Sequence, residues 1–305
     1  VSGGPFGLPE TRAVVAASLA EDLGVDVALL APGAGGDALL ARDVTGSLIP
    51  VDASFAGVVR ARSAGVVCGL PIVQHVFALL STASAAPAPE VFPLVAEGAT
   101  VAAGTAVLEV SGSARVVLAA ERCALNILMV LSGIATEARR WQDAAGPTLA
   151  VCDTRKTLPG LRALSKYAVR VGGATNHRAG LFDMVLVKDN HIREAGGIPA
   201  AVARSRDLHP GLLVEVEADS VEQAREAASA GADMVLLDNM DDATLTAAVA
   251  AVREATPAGC ACLTEASGGV TFDRLAALAG TGVDRVSSSA LTFARPLDFG
   301  LDERG

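Results

Sequence analysis

Leu149-Ala150-Val151-Cys152 is a short apolar run that passes directly into Asp153-Thr154-Arg155-Lys156. The same pattern recurs down the rest of the chain. Met184–Val187 leads into Lys188-Asp189-Asn190, Leu212–Val216 carries Glu215 and is followed by Glu217, and Met234–Leu237 leads into Asp238-Asn239. Cys260–Leu263 then leads into Thr264-Glu265, and Arg285-Val286 into Ser287-Ser288-Ser289. Between them lie segments with apolar residues at helical spacing: Leu158–Val171, Pro199–Leu208, Val221–Ala230, Asp242–Glu254 and Phe272–Ala279. A series of short strands and helices predicts parallel strands joined by right-handed crossovers. Strands that are apolar along nearly their whole length suit a sheet covered on both faces. Closure of such a sheet into an α/β barrel gathers the polar strand ends at one mouth, where barrel enzymes carry their chemistry.

The first third reads differently. Glu10–Leu30 has helical spacing and stops before Pro32-Gly33. Gly57–Arg62 and Val66–Cys68 read as short strands, Pro71–Leu80 as a helix, and Val91–Val95 and Ala106–Val110 as strands around the turn signals Gly98 and Gly104. This is an α+β pattern. A long helix is expected from Ser113 to Ala145, with Gly133 as a break or kink and Arg122 just ahead of the apolar run Ala124–Leu131.

A chain of 305 residues with 51% hydrophobic and 19% charged residues holds enough apolar surface for one large or two medium domains. No uninterrupted apolar run reaches bilayer length, and no basic segment followed by an apolar one opens the sequence, so no membrane role is expected. The five cysteines form no CxxC pair, which points away from a disulfide framework or a zinc site and toward a reducing cytoplasm. A net charge of −10 disfavours nucleic acid as a partner.

One window runs against that charge. Eight Lys/Arg and three Asp lie between Asp153 and Arg193, and the chain's three lysines, Lys156, Lys166 and Lys188, all fall within it. Lysine is a compact point charge on a flexible stem and is not interchangeable with arginine. Lys156 and Lys188 follow strand-like runs and read as site residues, whereas Lys166 lies in a helical pattern and reads as a surface residue. Around a barrel mouth the strand ends supply Arg155 and Lys156, then Lys188, Glu217, Asp238, Ser267-Gly268-Gly269 and Ser287–Ser289. Cations suit carboxylates or a pyrophosphate. Neighbouring carboxylates suit Mg²⁺ or sugar hydroxyls. Ser/Gly loops near helix N-termini suit phosphate. Each piece also has a plainer reading: Glu215 or Glu217 as an edge residue on one strand face, Asp238-Asn239 as cap residues, Ser267-Gly268-Gly269 as a turn. At successive strand ends they read as one site for a phosphorylated sugar and an anionic second substrate.

The run from Cys152 through Asp153-Thr154-Arg155-Lys156-Thr157-Leu158-Pro159-Gly160 and Lys166-Tyr167-Ala168-Val169 to Gly172-Gly173, Asn176-His177-Arg178 and Lys188-Asp189-Asn190-His191 resembles the quinolinate phosphoribosyltransferase family. Glu121-Arg122, Leu131–Thr136, Glu215-Val216-Glu217 and Leu236-Leu237-Asp238-Asn239 extend the resemblance over nearly the whole chain. It implies an α/β fold: an N-terminal α/β sandwich domain over residues 1–123, to which 290–305 return, and an incomplete seven-stranded α/β barrel over 124–289. It implies transfer of phosphoribosyl from phosphoribosyl pyrophosphate (PRPP) to quinolinate with decarboxylation, giving nicotinate mononucleotide, pyrophosphate and CO2. By motif position Arg122, Arg155, Lys156, His177 and Arg178 would hold the dicarboxylate. Lys156, Lys188, Glu217 and Asp238 would serve catalysis. Lys188, Glu217, Asp238, Ser267, Gly268, Gly269, Ser288 and Ser289 would hold PRPP, with Mg²⁺ at Glu217 and Asp238 and no organic cofactor. A homodimer or dimer-based hexamer is implied, with Arg122 completing the neighbour's site. The family's Gly-Ala-Leu-Thr-His is replaced here by Ser289-Ala290-Leu291-Thr292-Phe293, so an altered phosphate loop is expected. The other readings are a related transferase for another pyridine or base, a Schiff-base aldolase using Lys188, and a barrel that only binds an anionic metabolite.

Overall fold

A computed structural model describes residues 9–304. The chain forms two compact units. The first holds the residues up to Glu137, Leu158–Gly172 and the residues from Phe293 onward; the second holds Ala138–Thr157 and Gly173–Thr292.

The first unit begins with α1 (Pro9–Leu23) and α2 (Gly36–Leu40). They are followed by β1 (Ser54–Ala61), β2 (Gly65–Val66), α3 (Leu70–Ser84), β3 (Glu90–Pro93), β4 (Thr100–Val101) and β5 (Ala106–Ser113). β1 pairs antiparallel with β5, bringing Val58 opposite Glu109, and β5 pairs antiparallel with β3. Leu19, Ile72, Leu80 and Leu108 are fully buried in this unit. Glu97 fixes the start of α3: its carboxylate accepts the amides of Gly69 at 2.6 Å and Leu70 at 3.0 Å, and the Tyr167 hydroxyl at 2.7 Å. A carboxylate there satisfies orphan donors and complements the helix dipole.

α4 (Ala114–Ala145) is one unbroken helix, and the two units divide within it, between Glu137 and Ala138. Gly133 does not break it. A Cβ at that position would lie 2.1 Å from the Arg295 carbonyl oxygen, so the glycine admits a close pass of the C-terminal segment. Helix length and composition, not an uninterrupted apolar run, make α4 capable of crossing a bilayer; 67% of its most apolar window is buried.

The second unit's strands are β6 (Ala150–Cys152), β7 (Val185–Val187), β8 (Val214–Ala218), β9 (Met234–Asp238), β10 (Leu263–Ser267) and β11 (Arg285–Ser287). α5 (Arg162–Val171) belongs to the first unit, while α6 (Asp189–Ala195), α7 (Ile198–Leu208), α8 (Val221–Ser229), α9 (Asp242–Ala255) and α10 (Leu275–Thr281) alternate with the strands. Lys166, expected at the surface, is buried on α5. The helix starts follow from sequence: Ser220 caps α8 by accepting the Gln223 amide, and Asp241 caps α9 by accepting the Thr244 amide at 2.8 Å. That contact holds the Asp241 carboxyl below its usual range.

The six strands are parallel, in the order β6-β11-β10-β9-β8-β7. The expected seventh strand is reduced to one parallel bridge between Cys152 and Thr175. β10 lies three residues further along than the apolar run Cys260–Leu263 suggested. Glu265 is therefore inside the strand, and fully buried, rather than at its end. The chain closes with β12 (Phe299–Glu303), which pairs antiparallel with β1 in the first unit.

Candidate active site

Parallel pairing brings the carboxyl ends of the second unit's strands together. Ser267 at the end of β10 is level with Asp238 at the end of β9, and Ser287 at the end of β11 with Cys152 at the end of β6. Around these ends lies a cavity of about 550 Å³. Arg155, Lys156, His177, Arg178, Lys188, Glu217, Asp238, Ser267, Gly268 and Gly269 all line it. Ser287, one of the strand-end serines of the sequence reading, lines it too, as do Thr154 and Asn239, which that reading gave no role in the site. Ser288 and Ser289 are not among the lining residues. The Ser288 amide donates to the Cys152 carbonyl at 3.0 Å, and the Ser289 carbonyl accepts the Thr292 hydroxyl at 3.1 Å. Arg122 is a first-unit residue of α4 with an exposed side chain, 3.7 Å from Glu121.

The cations are held by local structure. Asp153 is buried and accepts the His177 amide at 2.9 Å and the Asn176 side-chain amide at 2.6 Å. This ties the loop after β6 to the residues before Arg178. The Thr154 hydroxyl accepts the Lys156 amide at 2.9 Å, and the Thr292 hydroxyl donates to the Lys156 carbonyl at 2.7 Å. Burial, then the charge of Arg155, lowers the pKa of Arg178. Arg155 Nε is buried without a hydrogen-bond partner among the described residues. Two guanidinium groups close enough to disturb each other, one with an unused buried donor, form a site prepared for an anion.

Lys188 and Glu217 form an ion pair at 2.5 Å. Asp238 accepts the Asn239 side-chain amide at 2.7 Å. Asn239 is left-handed, with φ of 55°, and its amide donates to the Ser267 carbonyl. Gly268 is also left-handed, and a Cβ there would meet Asn239 Oδ1 at 2.2 Å. The carboxylate rim and the glycine loop are thus interlocked, and only glycine fits the second position.

Below the rim is a charged layer. Glu215 and Glu265 are wholly buried, and His177 Nε2 lies 3.0 Å from Glu215 Oε2 and 3.5 Å from Glu265 Oε1. Arg285 Nε lies 2.8 Å from Glu265 Oε2. Burial first, then the Glu215 charge, raises the Glu265 pKa above its ordinary value. The His177 ring is engaged on its other side as well, since Nδ1 accepts the Arg178 amide at 2.7 Å.

The family model for the quinolinate phosphoribosyl transferase C-terminal domain matches residues 134–302, and that for the N-terminal domain matches 43–132. The chain belongs to the quinolinate phosphoribosyltransferase family. It is 46% identical over 233 residues to a probable nicotinate-nucleotide pyrophosphorylase (carboxylating) of Synechocystis, covering 75% of this chain and 76% of the relative. It is 41% identical to the human nicotinate-nucleotide pyrophosphorylase (carboxylating), covering 79% of this chain and 80% of the relative. Among solved structures, NadC from Streptococcus pyogenes superposes with a TM-score of 0.84 at 33% identity, over 100% of both chains. Within this transferase family fold, the strand-end cavity occupies the place where parallel-barrel enzymes carry their chemistry.

Proposed function

We propose that this cavity performs the family reaction: quinolinate and PRPP give nicotinate mononucleotide, pyrophosphate and CO2, a step of pyridine nucleotide synthesis. The observation that carries the reading is one cavity holding Arg155 and Arg178 together with the Lys188–Glu217 pair, Asp238 and the Ser267-Gly268-Gly269 loop. Planar guanidinium forks match a dicarboxylate. A left-handed glycine loop suits a terminal phosphate.

The chemistry follows from those placements. The pyridine nitrogen uses its lone pair to form a bond to ribose C1, and the C1–oxygen bond to pyrophosphate breaks with its electron pair. Positive charge grows on the ribose ring, and Glu217 and Asp238 supply compensating negative charge. Lys188 is a mobile point charge suited to pyrophosphate oxygens. The new pyridinium nitrogen then accepts electron density from C2 as the C2–carboxylate bond breaks and CO2 leaves; a proton from solvent fills C2. Arg155 and Arg178 orient the ring for that step.

Glu217 and Asp238 are an all-oxygen pair suited to Mg²⁺, which takes few protein carboxylates when substrate phosphates complete its shell. Bound with PRPP, the ion would neutralise the leaving pyrophosphate. Arg122, exposed on α4, would complete the site of a partner copy in a dimer or dimer-based hexamer. Five free cysteines support a reducing compartment such as the cytoplasm.

The test is incubation of the purified protein with quinolinate, PRPP and Mg²⁺, following nicotinate mononucleotide and CO2, with nicotinate as a parallel acceptor. Product from quinolinate alone is expected. Product from nicotinate but not quinolinate would replace this reading with a transferase for another pyridine, and no product from either would leave only an anion-binding barrel.

A further inference from the structure

His177 lines the cavity, yet both its ring nitrogens are engaged within the protein. Nδ1 accepts the Arg178 amide at 2.7 Å. A nitrogen that accepts carries no hydrogen, so the ring's hydrogen resides on Nε2. Nε2 is the atom that lies between the two buried carboxylates, 3.0 Å from Glu215 and 3.5 Å from Glu265. Both carboxylates are fully buried, and among the described residues no aligned hydrogen bond reaches their oxygens, so the His177 ring meets them as a close contact between imidazole and carboxylates. Glu265 is braced in turn by Arg285, whose Nε is 2.8 Å away and whose other nitrogens reach Met234 sulfur at 3.1 Å and Cys152 sulfur at 3.0 Å.

We propose that Glu215 and Glu265 are positioning residues of the acceptor site. They hold His177 in the Nε2–H tautomer, so that Nδ1 fixes the backbone of Arg178 and thereby aims its guanidinium at the acceptor. His177 then serves the site through Arg178 rather than as a cation on the dicarboxylate, and the acceptor's charge is read by the arginines and lysines alone. A carboxylate that orients a histidine by its far nitrogen is a general device, and the amide contact supplies what the device orients. Of the neighbouring strands, β7 is Val185-Leu186-Val187, β9 presents Met234 beside Arg285, and β6 ends at Cys152 before Asp153, which accepts the Asn176 side-chain amide and the His177 amide; Arg178 also lies within the field of Glu215. The proposal deepens the quinolinate reading and rests on it for the identity of the acceptor.

The chain has four histidines, which makes its imidazole nitrogens tractable by nitrogen–proton correlation NMR of the intact protein at neutral pH. The expected His177 pattern is one protonated Nε2 and one bare Nδ1. A doubly protonated ring, an Nδ1–H ring, or a ring without Nε2–H that binds added divalent metal stoichiometrically would overturn the proposal. Kinetics sharpen it. His177→Asn, which keeps an acceptor near the Nδ1 position, should raise the KM for quinolinate clearly less than His177→Gln, which should raise it roughly tenfold. Equal losses in the two would mean that ring charge matters, and would overturn it. Glu215→Leu should abolish the single-tautomer pattern and raise the quinolinate KM roughly tenfold with the PRPP KM within about twofold. An unchanged pattern and unchanged KM there would remove Glu215 from the role. The NMR result stands whichever acceptor the enzyme uses, so failure of this proposal and failure of the quinolinate reading are separately visible.

Discussion

Glu215 and Glu217 are two residues apart on β8, yet they belong to different regions. Glu217 is at the rim, partly exposed and paired with Lys188 at 2.5 Å. Glu215 is in the floor, fully buried, beside His177 and within the field of Glu265. Alternation along a strand puts both on the same side of the sheet, and depth alone separates them. A rim carboxylate can exchange its partner for a substrate at small cost, because its counter-ion is a flexible lysine in contact with water. A floor carboxylate cannot, because removal of any neighbour strands a buried charge. The rim is thus suited to reaction and the floor to holding geometry.

That contrast can be broken at the rim first. Asp238→Ala should lower kcat about 1000-fold with little change in thermal unfolding, because it removes charge stabilisation and no core packing. An unfolding midpoint that fell with kcat would place Asp238 with the floor. Arg178→Ala should raise the quinolinate KM about 100-fold while the PRPP KM stays within about twofold. Equal losses for the two substrates would deny the arginine its acceptor role. Gly268→Ala, which drives a Cβ against Asn239, should raise the PRPP KM roughly tenfold and spare the quinolinate KM.

The floor should answer in stability and in acceptor binding more than in kcat. Glu265 has its pKa raised in the fold from an ordinary value of 4.5. Below that value both folded and unfolded chains bind the proton, and the fold keeps its full stability. As pH climbs above it the unfolded chain releases the proton first, so stability drains until the raised folded value is passed. Glu265→Gln, which mimics the protonated form, should flatten this decline in unfolding midpoints measured from pH 5 to pH 8. A variant that declines as steeply as the parent would mean that Glu265 does not titrate this way.

The rim was legible in the sequence because a polar or charged residue follows directly on the apolar run of most strands, and β6, β7 and β9 end at or within one residue of the end of that run. Arg155, Lys156, Lys188, Glu217 and Asp238 could be read from that punctuation, and the structure gathers them around one cavity. The floor was not. Glu265 follows the run Cys260–Leu263, and a charge after an apolar run looks like a strand end; it is buried because the strand runs on through Leu263–Ser267 with a polar residue facing inward. Lys166 misled for a related reason, since helical spacing does not reveal whether a lysine's neighbours cover it. Asn239 carried too little local signal. Only the left-handed backbone at Asn239, tied to Gly268, reveals its part, and Asp-Asn followed a turn later by Ser-Gly-Gly was the available hint. Gly133 looked like a helix breaker because its partner, the Arg295 carbonyl, is far away along the chain.

The pairing of β12 with β1 sets an order for events during synthesis. β1 remains an open sheet edge until Phe299–Glu303 have left the ribosome. Every strand of the parallel sheet has emerged by then, whereas the antiparallel sheet waits for its last member. Nascent chains arrested before residue 299 would therefore show protease protection of the strand-end cavity ahead of protection of β1, and an unmatched edge of this kind is where a stalled chain would recruit a chaperone or a second nascent chain.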